Sequence, residues 1–195
     1  HGARALAYEA AMAQLVQAYP EDREAQIFYA LALLITAPPT DKSYTNQQQA
    51  QDILEPLFAQ YPDHPGIAHY LIHTNDYPSL ATGGLEAANR YAAIAPAAPH
   101  VQHMPSHIFS RTGDWQASID ANRASVAATQ AALPADHPAD VAVESALHAM
   151  DYMMYAHLQL AQDGAAKALL DEINAFAQAT GDLGSAYALA AIPAR

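Results

Sequence analysis

The stretch "PHVQHMPSH", residues 99–107, decides how this chain is read. As a helix it holds His100, His103 and His107 at steps of three and four, which keeps the three imidazoles on one face. The stretch "PGIAHYLIH" (65–73), 34 residues upstream, repeats the motif with His69 and His73. A histidine pair recurring at a fixed offset is the mark of an internal repeat, in which each copy is one supersecondary unit stacked on the next.

A period of 34 is the length of the tetratricopeptide repeat, a helix pair that stacks into a solenoid. Other marks agree. "YPEDREA" (19–25) and "YPDHPGIA" (61–68) are similar helix-to-helix junctions, and Pro62 and Pro96 are again one period apart. In "TGDW" (112–115) Gly113 suits a left-handed helix end and Asp114 an N-cap. The expected fold is therefore all-α, a tetratricopeptide-like solenoid of about ten helices in one domain over 1–195. A second-type helix covers 3–18. Hairpins follow at about 22–61, 64–95, 99–131 and 140–179, and a final first-type helix starts near 183. An opening helix without its partner, and a closing one likewise, read as a piece of a longer array. The segments 37–45 and 133–140, rich in Pro and Asp, are loops longer than the repeat needs.

Composition supports helices and narrows the partners. The hydrophobic share is 52%, much of it alanine, with 8% aromatic residues, which favours closely packed helices over sheet. With 20 acidic and 8 basic residues the net charge is −12, so a phosphate backbone is repelled and nucleic acid is excluded as a partner. Cations and basic peptides are attracted instead. No run of 18 apolar residues is present to cross a membrane. The absence of cysteine leaves His, Asp and Glu for any metal site.

The segments "HPGIAHYLIH", "APHVQHMPSHIFSRTGDW" and "LHAMDYMMYAHLQL" resemble bacterial tetratricopeptide-repeat proteins of poorly defined function, a resemblance that extends over most of residues 5–195. It implies the fold and a bacterial origin and carries no activity with it; the chain is expected to be soluble, with cytoplasm and periplasm both open. It also implies that repeat positions 2, 5 and 9 of each first-type helix face the concave groove. Counting back from Gly113, those positions are His100, His103 and His107. One period earlier they are Gly66, His69 and His73. If Ala161 replaces the turn glycine of the following hairpin, they are His148, Asp151 and Tyr155.

Imidazoles from adjacent helices 8–10 Å apart can converge on one cation. The leading expectation is a transition-metal site, Zn, Cu, Ni or Fe, held by His69, His73, His103 and His107. His100, His148, Asp151 or Tyr155 then serve as further ligands or supports, Glu144 is a rival carboxylate, and Arg111 borders the groove. Two other readings stay open: a metal-free scaffold gripping a peptide, protein or small-molecule ligand in the groove, and a metalloenzyme using the same histidines. No catalytic signature decides for an enzyme; "HxxxH" lacks the glutamate base of "HExxH". Pro105 should kink its helix. His64 and His137 are expected in solvent, and His157 in the core with a hydrogen-bond partner. The tyrosines and methionines of "DYMMYAH", Tyr155 excepted, read as core filler.

Overall fold

The computed structural model describes residues 2–132, 140–177 and 183–194, with side chains left aside at 140–144, 176–177 and 183–185. His137 and most of the second long loop lie outside these residues. Every regular element described is helical. The helices are α1 (Gly2–Ala18), α2 (Arg23–Thr36), α3 (Thr45–Gln60), α4 (Pro65–Asn75), α5 (Leu85–Ile94), α6 (Pro99–His103), α7 (Pro105–Thr112), α8 (Trp115–Ala132), α9 (Asp140–Gln159), α10 (Asp163–Ala177) and α11 (Leu183–Ala191). Short 3-10 turns stand at Ala81–Gly84 and Ile192–Ala194. None of the described helices is long and apolar enough to cross a membrane.

The chain forms two compact units, His1–Arg90 and Tyr91–Arg195. In the first, each helix from α1 to α4 packs on the next, and α2 also touches α4. Small and branched side chains share the interior, with Ala30, Ala50, Leu54, Ile67, Ala68 and Ile72 fully buried. Helix ends are set by local chemistry. Asp22 accepts from the Ala25 N–H to start α2. In the expected loop 37–45, Asp41 accepts from the backbone of Ser43 and Thr45, folding the segment back to start α3. The Ser43 hydroxyl and these N–H groups hold the Asp41 carboxyl well below the usual carboxylate range.

His64, expected in solvent, instead caps α4: its Nδ1 accepts from the Ile67 N–H at 3.4 Å, and its Nε2 lies 3.2 Å from a Glu24 carboxylate oxygen. An imidazole two bonds from the backbone can play the part of an Asx cap, with Pro65 at the first helical position.

In the second unit α8 packs on α6, α7 and α9, and α9 packs on α10 and α11. Its core gathers Val126, Ala146, Leu147, Met150, Met153, Leu169 and Ile173. Alanines at 146, 149 and 156, all fully buried, let neighbouring helices approach α9 closely. One face of α8 is polar yet buried, carrying Ser118, Asn122, Ser125 and Thr129 at steps of four, three and four. Gly113 ends α7 at φ 80° and Ala161 ends α9 at φ 53°. The Ala161 N–H bonds Leu158 O and the Gln162 N–H bonds His157 O, a Schellman end built on alanine. Ala161 thus takes the backbone conformation of a turn glycine, as the alignment of the fourth hairpin required. His157 is buried, and its Nδ1 donates to Gln162 Oε1 at 2.8 Å.

Candidate metal centre

Two helices in the two units begin one period apart, α4 at Pro65 and α6 at Pro99, each with proline at the first position where no N–H is needed. The later helix breaks. Pro105 has no N–H for Val101 O, so α6 ends at His103, Met104 forms the joint, and α7 starts at Pro105. The joint is tight: the His107 N–H reaches Met104 O at 3.2 Å. His103 and His107 therefore keep one face, and their Nε2 atoms stand 3.0 Å apart. In the unbroken α4 the His69 and His73 Nε2 atoms stand 3.1 Å apart, with Tyr70 stacked beside His69. The break at Pro105 leaves the pair geometry unchanged.

What differs is what surrounds each pair. His69 is half-buried and His73 exposed, whereas His103 is only 2% exposed. His148 on α9 brings a third imidazole to His103 at 4.7 Å between ring centres. One ring nitrogen from each of His103, His107 and His148 lies within 4.8 Å of the others. His103 is buried, His107 half-buried and His148 exposed, so the cluster has a dry side and a wet side.

Hydrogen bonds fix the imidazoles. Asn122 Nδ2 donates to Ser118 O at 2.8 Å, so its Oδ1 faces the other way, as an acceptor. That oxygen is 2.6 Å from His103 Nδ1 and also receives the Ser106 hydroxyl at 3.4 Å. His103 therefore carries its proton on Nδ1 and turns a bare Nε2 lone pair toward His107 and His148. Burial, and then the neighbouring His107, push the His103 imidazole down to about 3, so it is neutral at any ordinary pH. A neutral imidazole with Nδ1–H held by an amide oxygen is in the form a metal ligand needs.

The remaining candidates fall around this cluster. His100 lies 6.3 Å from His103 between ring centres, at the edge. Arg111 is exposed near the end of α7. Asp151 is half-buried and, with His148, lines a cavity of about 240 Å³ whose other walls are Leu147, Tyr187, Ala188, Ala191 and Ile192. The Glu144 side chain lies outside the described residues. The expectations for the two tyrosines are reversed. Tyr155 is 45% exposed and meets the edge of Trp115, while Tyr152 lies 5.0 Å from both His103 and His107 and 5.3 Å from His148, its hydroxyl 3.2 Å from His107 Nδ1. On α9 the two rings that meet the cluster are those of His148 and Tyr152, one turn apart, and Tyr155 stands a further three residues along.

Asn122 was missed as well. Its signal in the sequence is the stripe Ser118, Asn122, Ser125 and Thr129, polar residues at core spacing in an alanine-rich helix. The chain matches no family model, no curated protein and no solved structure.

Proposed function

We propose that this protein is a helical-repeat protein of tetratricopeptide type that binds one transition-metal ion through His103, His107 and His148. The observation that carries the reading is the buried His103, whose Asn122 contact presents a deprotonated Nε2 to two further imidazoles. Two nitrogens bound to one Zn²⁺ at about 2.0–2.1 Å stand roughly 3.3 Å apart in a tetrahedral site. The His103–His107 separation of 3.0 Å is near that value, and a ring nitrogen of His148 lies within 4.8 Å of one on each of them. An all-imidazole set suits Zn, Cu, Ni and Fe. The one-period spacing of Pro65 and Pro99, and the glycine-like ends at Gly113 and Ala161, support the repeat reading.

Three protein ligands leave a fourth position, the arrangement of zinc sites that hold water or substrate. The cavity beside His148 favours a small-molecule ligand at that position, which keeps metal-assisted hydrolysis as the second reading, with Asp151, which lines that cavity, as the carboxylate for proton transfer.

The test is elemental analysis of tag-free protein purified without added metal or chelator, alongside His148→Ala. That variant removes an exposed ligand and leaves the core intact. About one equivalent of metal in the parent protein and little in the variant is the expected result. No metal in the parent protein, and no thermal stabilisation on adding Zn²⁺ or Cu²⁺, overturns it in favour of a metal-free groove for a peptide partner.

A further inference from the structure

The hydrogen-bond chain around His107 places a proton on the nitrogen that an ion would need, so it has to rearrange for an ion to bind there. His103 Nε2 bears no proton, because its Nδ1–H is committed to Asn122 Oδ1. The 3.0 Å contact between the two Nε2 atoms is then a hydrogen bond only if His107 supplies the proton. A neutral His107 with Nε2–H has a bare Nδ1, which takes the Tyr152 O–H at 3.2 Å. The order is Tyr152 O–H to His107, His107 Nε2–H to His103, and His103 Nδ1–H to Asn122.

A metal cannot bind a protonated nitrogen. We infer that metal entry moves the His107 proton from Nε2 to Nδ1 and turns the Tyr152 hydroxyl from donor to acceptor, while Asn122 keeps His103 in one tautomer throughout. The inference rests on the metal-binding reading above. Its balance is closed: Nε2 loses one proton to water, Nδ1 gains one from water, and the ring stays neutral. Tyr152 and Asn122 are positioning residues with different tasks. Asn122 accepts a proton donor in both states, and an amide oxygen can do nothing else. Tyr152 must serve in both directions, and a hydroxyl can donate or accept by rotating. Of the two supports, only a residue beside the switching histidine needs this two-way character, and that is where the hydroxyl stands.

The experiment uses the full chain labelled with ¹⁵N, with two-bond ¹H–¹⁵N correlation spectra of the imidazoles before and after one equivalent of Zn²⁺. The expected zinc-free spectrum shows His103 protonated on Nδ1 and His107 on Nε2. With zinc, His107 shows its proton on Nδ1, and His103 keeps its tautomer with a shifted Nε2. Tyr152→Phe, a substitution that leaves the ring in place, is expected to mix the zinc-free His107 tautomers and weaken zinc binding about 10–100-fold. A zinc-free His107 already protonated on Nδ1 overturns the inference. Zinc shifts at His103 and His148 with an unchanged His107 also overturn it, while leaving the metal site standing. No zinc-induced shift at any of the three overturns the metal site and this exchange together.

Discussion

Asn122 Oδ1 stands 2.6 Å from His103 Nδ1, in a position where both residues are buried. Because the Asn122 amide nitrogen is bound to Ser118 O, this contact selects one tautomer of His103. It also ties α6 to α8 at the dry side of the cluster. The tie has consequences for stability, for metal affinity and for the response to acid.

Asn122→Ala leaves a buried imidazole N–H without an acceptor. An unpaired buried donor costs about 1–3 kcal/mol, so the variant should unfold at lower denaturant concentration by that amount. Its zinc affinity should fall about 10–100-fold, because His103 can then turn either nitrogen toward the cluster. Denaturant unfolding and zinc titration in the presence of a competing chelator measure the two effects. Wild-type affinity in the folded variant would show that the contact serves packing alone.

Acid should destabilise the metal-free protein in a defined window. His103 in the folded chain stays neutral down to about 3, whereas in the unfolded chain it takes a proton near its ordinary value of 6.5. Above 6.5 both states are neutral and this group contributes no pH dependence. Below 6.5 the unfolded state binds the extra proton, so stability falls with falling pH until about 3. One proton gives a slope of up to about 1.4 kcal/mol per pH unit. His103→Asn, which cannot take up that proton, should show a shallower decline between pH 6.5 and 4.5. Equal slopes in urea unfolding would mean that His103 does not contribute the pH dependence.

Metal content divides the histidines. His103→Ala and His148→Ala should each lose the ion. His69→Ala tests the first unit's pair, whose Nε2 separation of 3.1 Å nearly equals that of the second. Unchanged content in that variant assigns the ion to His103, His107 and His148 alone. Unchanged content is the expected result, and reduced content would overturn that assignment.

Ala161→Gly should stabilise the protein. At φ 53° alanine sits in the left-handed region, where its Cβ costs about 1–2 kcal/mol and glycine escapes that cost. Glycine's larger unfolded-state entropy returns part of the gain, so a net stabilisation of about 1 kcal/mol is expected. A lower melting temperature in the variant would show that the Cβ of Ala161 makes a packing contact worth more than the strain.

The sequence by itself determined the helices and the histidine pairs. Prolines at 65 and 99, Gly113 and Asp114 act through the backbone of their own or adjacent residues, so their effects can be read without knowing the fold. Helix α2 starts beside its cap Asp22, and α4 starts at Pro65. The i,i+4 pairs follow from helix geometry in the same way, and their Nε2 separations of 3.0 and 3.1 Å came with them. His148 was legible only through an alignment that let Ala161 stand for glycine.

The tertiary structure decided which side chains meet those histidines. Asn122 reaches His103 across 19 residues of chain and Tyr152 reaches His107 across 45. No local rule fixes the level at which α9 crosses α6 and α7, and a shift of one turn exchanges Tyr152 for Tyr155. Packing of alanine faces sets that level, and with it which polar groups are left in the dry interior to fix each imidazole.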